Sequence, residues 1–149
     1  MFAIRPRLAI SESIARTTYD GEKVFVVKIV NRSWWKLYDI HTEFAHVKYE
    51  NVTGGQNIYS TSLYLLKDHL WFINSLYRWR TDVNAEYAAL CVCLDDLDVL
   101  WTKDSIIEFR VMVNHAVCLG MRGSRRRFYR PQTSIREGSF KFGNSLEID

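Results

Sequence analysis

Hydrophobic and polar residues alternate along most of this chain, which is the pattern of β-strands with one buried face. In residues 23–30, the apolar side chains Phe25, Val27 and Ile29 fall on one face. Residues 88–94 are apolar on both faces, as expected for a central strand. Further strands are predicted at residues 37–48, 59–66, 70–79 and 106–113, with two more short ones after Gly120. About eight strands separated by turns predict an all-β protein, an antiparallel β-sandwich.

Composition agrees with one folded domain. The chain has 149 residues, 48% of them hydrophobic, which is enough to bury a core, so we predict a single domain spanning residues 1–149. No segment approaches the ~20 apolar residues of a membrane helix, and the N-terminus lacks the apolar region of a signal peptide. Three cysteines without disulfide spacing suit a reducing compartment. These features indicate a cytoplasmic protein, or the cytoplasmic part of a larger membrane protein.

The chain shows no pattern typical of catalysis or metal binding. Cys91 and Cys93 share a strand face and could bind zinc together with His115 and Cys118, but their apolar neighbours favour buried structural thiols. The acidic stretch 95–98 is interpreted as a solvated turn. The histidines are scattered, and their spacing signals no metal site: His41, His46, His69 and His115. We therefore predict no catalytic residue, no metal and no cofactor.

Positive charge is concentrated in one segment. The formal charge is only +3, but residues 122–136 hold six arginines and no acid. One interpretation is that these arginines form the solvent face of an edge strand, where their charge discourages edge-to-edge pairing. The other is that they form an anion site. Its ligand would be a phosphorylated lipid headgroup, a nucleotide, a nucleic acid or an acidic partner. The candidate ligand-binding residues in this segment are Arg122, Arg125, Arg127 and Arg130.

Aromatic side chains provide two further candidates. Phe128 and Tyr129 could stack on a base, although aromatic residues on strands usually belong to a core. Trp34 and Trp35 follow a predicted turn and are candidate interface residues, with packing beneath the loop as the alternative.

Four short motifs are spread along almost the whole chain. Arg5-Pro6 stands near the start, Val30-Asn31-Arg32 is followed by residues 37–40, and residues 108–113 form an apolar strand. The most specific motif is the spacing of Arg126, Tyr129, Ile135, Gly138 and Phe140. Together they resemble the cytoplasmic domain of bacterial inwardly rectifying potassium channels, which implies an immunoglobulin-like β-sandwich.

The resemblance implies a non-catalytic regulatory and assembly domain that forms a homo-oligomer, a tetramer in that family, and gates a pore in response to a ligand or an anionic lipid. Arg5 and Arg7 are then the candidates for lipid binding, because they lie where the chain would leave the bilayer. The two membrane helices and the selectivity signature are absent, and Gln132-Thr133 replaces an acidic pair. The alternative is a soluble receptor or adaptor that binds a nucleotide, nucleic acid or acidic partner through Arg122–Arg130.

Overall fold

The computed structural model describes residues 7–75, 87–116, 123–130, 134–143 and 145–149. Within these residues two sheets pack together, which confirms the predicted β-sandwich. None of the described helices has the length and apolar character needed to cross a membrane. The first sheet contains β1 (Leu8–Ile10), β2 (Ile14–Tyr19), β3 (Glu22–Asn31), β7 (Ala88–Cys93) and β10 (Ile135–Glu137), and the second contains β4 (Leu37–Val52), β5 (Gly55–Ser62), β6 (His69–Ile73), β8 (Ser105–Ala116) and β9 (Gly123–Tyr129).

One long strand organises each sheet. In the first, β3 pairs antiparallel with β7 along one edge and with β1 and β2 along the other, and β10 joins β2 in parallel. In the second, β4 pairs with β8 along one edge and with β5 and β6 along the other. The pairing of β8 with β9 places β9 at the edge of the second sheet.

The core lies between the sheets and follows the predicted alternation. Phe25, Val27 and Ile29 of β3 are fully buried in it. From the second sheet, Phe44 and Phe109 are register partners whose ring centroids lie 4.9 Å apart. This separation is typical of favourable aromatic pairs, which add to the stabilisation from burial alone.

Several boundaries differ from the sequence-based expectations. The pattern did not predict β1 or β2, because β1 is short and β2 mixes Arg16, Thr17 and Thr18 with its apolar residues. The strand predicted at 59–66 is β5, which ends at Ser62. The stretch 95–98, interpreted as a solvated turn, contains the start of the short helix α1 (Leu97–Leu100), whose N-cap Asp96 accepts a hydrogen bond from the backbone N–H of Asp98. The later part of the strand predicted at 70–79 lies outside the described residues.

Cys91 and Cys93 are buried in the core, as predicted for structural thiols. Burial raises the pKa of Cys91 to about 12 and that of Cys93 to about 11. Because the thiolate is the reactive form, we expect neither thiol to be alkylated by iodoacetamide at mildly alkaline pH while the protein is folded. Peptide mass mapping after a timed exposure to iodoacetamide, with and without urea, measures the alkylation of each cysteine. Alkylation of either residue at the same rate in both conditions would contradict the prediction. Cys118 lies outside the described residues.

The residues after β10 form a further layer on the outer face of the first sheet. Phe140 and Ile148 pack against a small second core formed by Ala15, Val24 and Val26. The strand β3 is consequently buried on both faces from Val24 onward. The layer after β10 therefore shields the apolar outer face of β3 from solvent.

Lys28 of β3 holds that layer through its ammonium group. The residue is only 3% exposed, and its Nζ donates to the backbone carbonyl oxygens of Lys141, Gly143 and Ser145 at 2.8, 2.7 and 2.7 Å. Burial lowers the pKa of Lys28, whereas three carbonyl acceptors favour the charged form. A buried cation is tolerated here because every hydrogen on it has an acceptor.

Candidate anion-binding cleft

The arginines of β9 alternate between the two faces of the second sheet. Arg125 and Arg127 lie opposite Val111 and Phe109, whose side chains face the core, so both guanidinium groups emerge on the side of the first sheet. Arg126 lies opposite Arg110 on the outer face. There its Nη1 is 3.7 Å from Oε1 of Glu108. The predicted cluster therefore divides into an inward-facing pair and an outward-facing residue with an acidic partner.

A cleft of about 530 Å³ opens where the edges of the two sheets meet. Four arginines line it: Arg32 directly after β3, Arg125 and Arg127 on β9, and Arg136 on β10. The rest of the lining combines apolar side chains, a serine and two acids: Ala9, Ile10, Leu146, Ile148, Ser13, Glu12 and Glu147. We call this the arginine cleft.

The arginine cleft carries an excess of positive charge. In the described part of the chain, the arginines that form ion pairs are Arg16, Arg110 and Arg126, and none of these lines the cleft. One of the two acids in the lining, Glu147, is already compensated by Lys141, whose Nζ lies 3.0 Å from Oε2 of Glu147. Among the described residues, the four guanidinium groups of the cleft thus have no acidic partner in an ion pair, and their donors can bind an anion.

Tyr129 fixes the wall of the cleft. Its side chain is buried at the end of β9, and its hydroxyl donates to the carbonyl oxygen of Ser11 at 2.6 Å, across 118 positions of sequence. Burial raises the pKa of this phenol, so it stays a donor. Since Ser11 lies between β1 and β2, the bond ties the arginine strand to the segment that carries Glu12 and Ser13.

The structure separates the predicted binding residues. Arg125 and Arg127 line the cleft, whereas Arg130 is exposed beyond the end of β9 and does not. Arg7 is exposed just before β1, where its backbone N–H donates to Ser33 Oγ at 2.7 Å. Arg5 and Arg122 lie outside the described residues.

Two lining arginines were not among the predicted binding residues. Arg32 comes from the end of a distant strand, and Arg136 reaches the cleft because β9 leads into β10 at the edge of the other sheet. Arg136 belonged to the acid-free run that drew attention to the segment. For Arg32, no local signal in the sequence indicates the site, since only the packing of the two sheets brings it there.

The aromatic candidates lie away from the cleft lining. Trp34 is 70% exposed, and Trp35 packs against the core. Phe128 is 52% exposed on the outer face of β9, and Tyr129 is buried. Neither Phe128 nor Tyr129 can therefore stack on a base held between Arg125 and Arg127.

No protein-family model matches this sequence, and neither does any curated protein. Among solved structures, the chain is similar to the sporulation control protein Spo0M from Bacillus subtilis, with a TM-score of 0.42 at 9% sequence identity. The match covers 87% of this chain and 49% of Spo0M, so the chain spans about half the length of that protein. A likeness at this level carries no conclusion about function.

The resemblance to inwardly rectifying potassium channels is wrong. No family model supports it, and Spo0M, the solved structure described above, is a sporulation control protein rather than a channel domain. Three predictions rested on that resemblance and lose their support with it. They are the pore-gating role, the tetramer and the lipid-binding role of Arg5 and Arg7.

Local architecture accounts for the spacing that suggested the channel family. Tyr129 fills the core and bonds to Ser11. Gly138 follows β10 with a φ of +126°, a conformation that favours glycine. Phe140 packs on the second core, and Arg126 pairs with Glu108. Each of these residues thus meets a local requirement of its own strand or turn. The spacing therefore does not require common ancestry with the potassium-channel domains.

Proposed function

We propose that this chain is a non-catalytic binding module that recognises a nucleotide in the arginine cleft. The observation that carries the proposal is the convergence of Arg32, Arg125, Arg127 and Arg136 on one cleft, with no ion pair to the described residues. Guanidinium groups bind phosphate oxygens through two parallel hydrogen bonds and are the preferred side chains for this purpose.

The size and lining of the cleft favour a small ligand. Its volume of about 530 Å³ lies within the range of roughly 300–1,000 Å³ that is usual for small-molecule sites. Leu146 and Ile148, which are only partly buried, offer apolar contacts for a nucleoside beside the arginines. A nucleotide matches both features of the lining, because its phosphates can bind the arginines while the flat face of its base packs on the apolar side chains.

A nucleic acid fits the same surface less well. Proteins that bind single strands combine a basic track with aromatic side chains on which successive bases stack. Here the neighbouring aromatics Phe128 and Tyr129 are on the opposite face of β9 or buried, so they offer no rings on which successive bases could stack. Binding of a nucleic acid in place of mononucleotides is an outcome that the following experiment detects.

The double variant Arg125→Ala/Arg127→Ala is expected to bind ATP about 100-fold more weakly than the wild type. Each hydrogen bond to a charged group contributes about 1.5 kcal/mol or more, and about 1.4 kcal/mol corresponds to a factor of ten in affinity. Isothermal titration calorimetry at low ionic strength measures the change. Pyrophosphate, titrated in parallel, reports the part of the affinity that depends on phosphate alone. A single-stranded oligonucleotide, titrated under the same conditions, reports whether a nucleic acid binds instead.

The variant Arg126→Ala/Arg130→Ala is the matched control, because it removes two charges from the same segment without touching the cleft lining. Its affinity for ATP is expected to stay close to that of the wild type. Three results would overturn the proposal: no binding of ATP to the wild type, equal losses in the two double variants, or binding only to a single-stranded oligonucleotide.

A further inference from the structure

A second group of polar side chains lies on the outer face of the second sheet, away from the arginine cleft. Asp39 and His41 belong to β4, and His69 on β6 is the direct register partner of His41. Asp39 has a φ of +51°, which is uncommon for a residue other than glycine. The alternation of β4 shifts by one residue here, since Leu37 and Ile40 are both buried. As a result, Asp39 and His41 lie on the same outer face.

The potential ligand atoms of these three side chains face one another. Nε2 of His69 is 2.6 Å and Nε2 of His41 is 3.1 Å from the same Oδ1 of Asp39, and one ligand atom from each residue lies within 4.8 Å of the others. In a tetrahedral zinc site with bonds of about 2.0–2.1 Å, neighbouring ligand atoms are about 3.3 Å apart. Small side-chain rotations would therefore bring all three atoms into contact with one ion.

Neighbouring side chains hold Asp39 and His69 in orientations that suit the binding of one ion. Asn114 on β8 donates from Nδ2 to Oδ2 of Asp39 at 2.9 Å, which leaves Oδ1 directed at the two imidazoles. Trp71 packs edge-on against His69, with ring centroids 4.6 Å apart. Outer partners of this kind hold the ligands of metal sites in place.

We propose that Asp39, His41 and His69 form a binding site for a divalent transition-metal ion, and that Zn²⁺ is the ion that these ligands suit best. Imidazole nitrogen and carboxylate oxygen are established zinc donors, and a site with three protein ligands keeps a position for water or for an exogenous ligand. All three side chains are partly exposed, so an ion can enter from solvent. The site is independent of the arginine cleft and of the function proposed for it.

Titration of the 149-residue chain with Zn²⁺ is expected to show one bound equivalent. His41→Ala and His69→Ala should each weaken binding at least about 100-fold, because loss of an outer partner alone typically costs 10–100-fold. Asn114→Ala, which removes such a partner, should cause a smaller loss within that range. Titration with Co²⁺ should give the visible spectrum of a nitrogen and oxygen site, without the charge-transfer band of a thiolate ligand.

His46→Gln is the matched control, since it removes another imidazole from β4 that does not belong to the cluster. It should bind Zn²⁺ as the wild type does, and circular dichroism should show that every variant is folded. The proposal is overturned if the wild type binds less than one equivalent of Zn²⁺. It is overturned equally if His41→Ala and His69→Ala bind like His46→Gln, or if the Co²⁺ complex shows a thiolate band.

Discussion

Replacement of Lys28 by methionine is expected to lower the free energy of unfolding by about 3 kcal/mol or more. Methionine has similar length but no donor, so the carbonyl oxygens of Lys141, Gly143 and Ser145 would all lose their shared partner. Each buried polar group left without a partner costs about 1–3 kcal/mol. Urea denaturation followed by tryptophan fluorescence measures the change, and hydrogen exchange in residues 139–143 reports whether the outer layer detaches.

Lys23→Met provides the comparison on the same strand. Its ammonium group pairs with Asp96 and Asp98 at 3.2 and 2.9 Å on the surface, where solvent screens the interaction. We expect a much smaller change in stability and unaltered hydrogen exchange in the outer layer. If the two lysine variants were equally stable, the ammonium of Lys28 would not be what holds the C-terminal residues on the sheet.

Much of the fold could be predicted from the chain because its long strands have one clearly apolar face. β3, β4 and β8 carry that signal, and an alternating pattern also determines which side chains enter the core. β7 was predicted from a different signal, a short run that is apolar on both faces. β1 and β2 lacked both signals, being short or mixed in composition. The layer formed after β10 was not predictable either, because it depends on the buried residue Lys28. In the sequence, nothing distinguishes Lys28 from a lysine that is exposed on the surface.

The candidate sites were predictable only where their residues are neighbours in sequence. Arg125 and Arg127 stood out because charge is dense along β9. Arg32 and Arg136 complete the same cleft from the other sheet, and no local pattern indicates which strands will meet at that edge. The same holds for Asp39 and His69, which are 30 positions apart and meet because β6 pairs with β4. Pairing between distant strands is set by the whole fold.

Tyr129→Ala is expected to lower the free energy of unfolding by about 5 kcal/mol, the largest effect predicted for this protein. Truncation of a buried aromatic residue typically costs about 3–5 kcal/mol, and the orphaned carbonyl of Ser11 adds about 1–3 kcal/mol. Because small domains have total stabilities of about 5–15 kcal/mol, this variant should be close to unfolding in water. Urea denaturation, or the absence of a cooperative transition, measures the loss.

Tyr129→Phe separates the hydrogen bond from the packing. It keeps the ring in the core and removes only the donor to Ser11, so we expect a loss of about 1–3 kcal/mol in a protein that remains folded. Since that bond fixes the segment carrying Glu12 and Ser13 against β9, affinity for ATP should fall as well, although no lining side chain has changed. A Tyr129→Phe variant with full stability would show that the hydroxyl contributes nothing to the fold. One with reduced stability but unaltered ATP binding would show that the cleft does not depend on this tie.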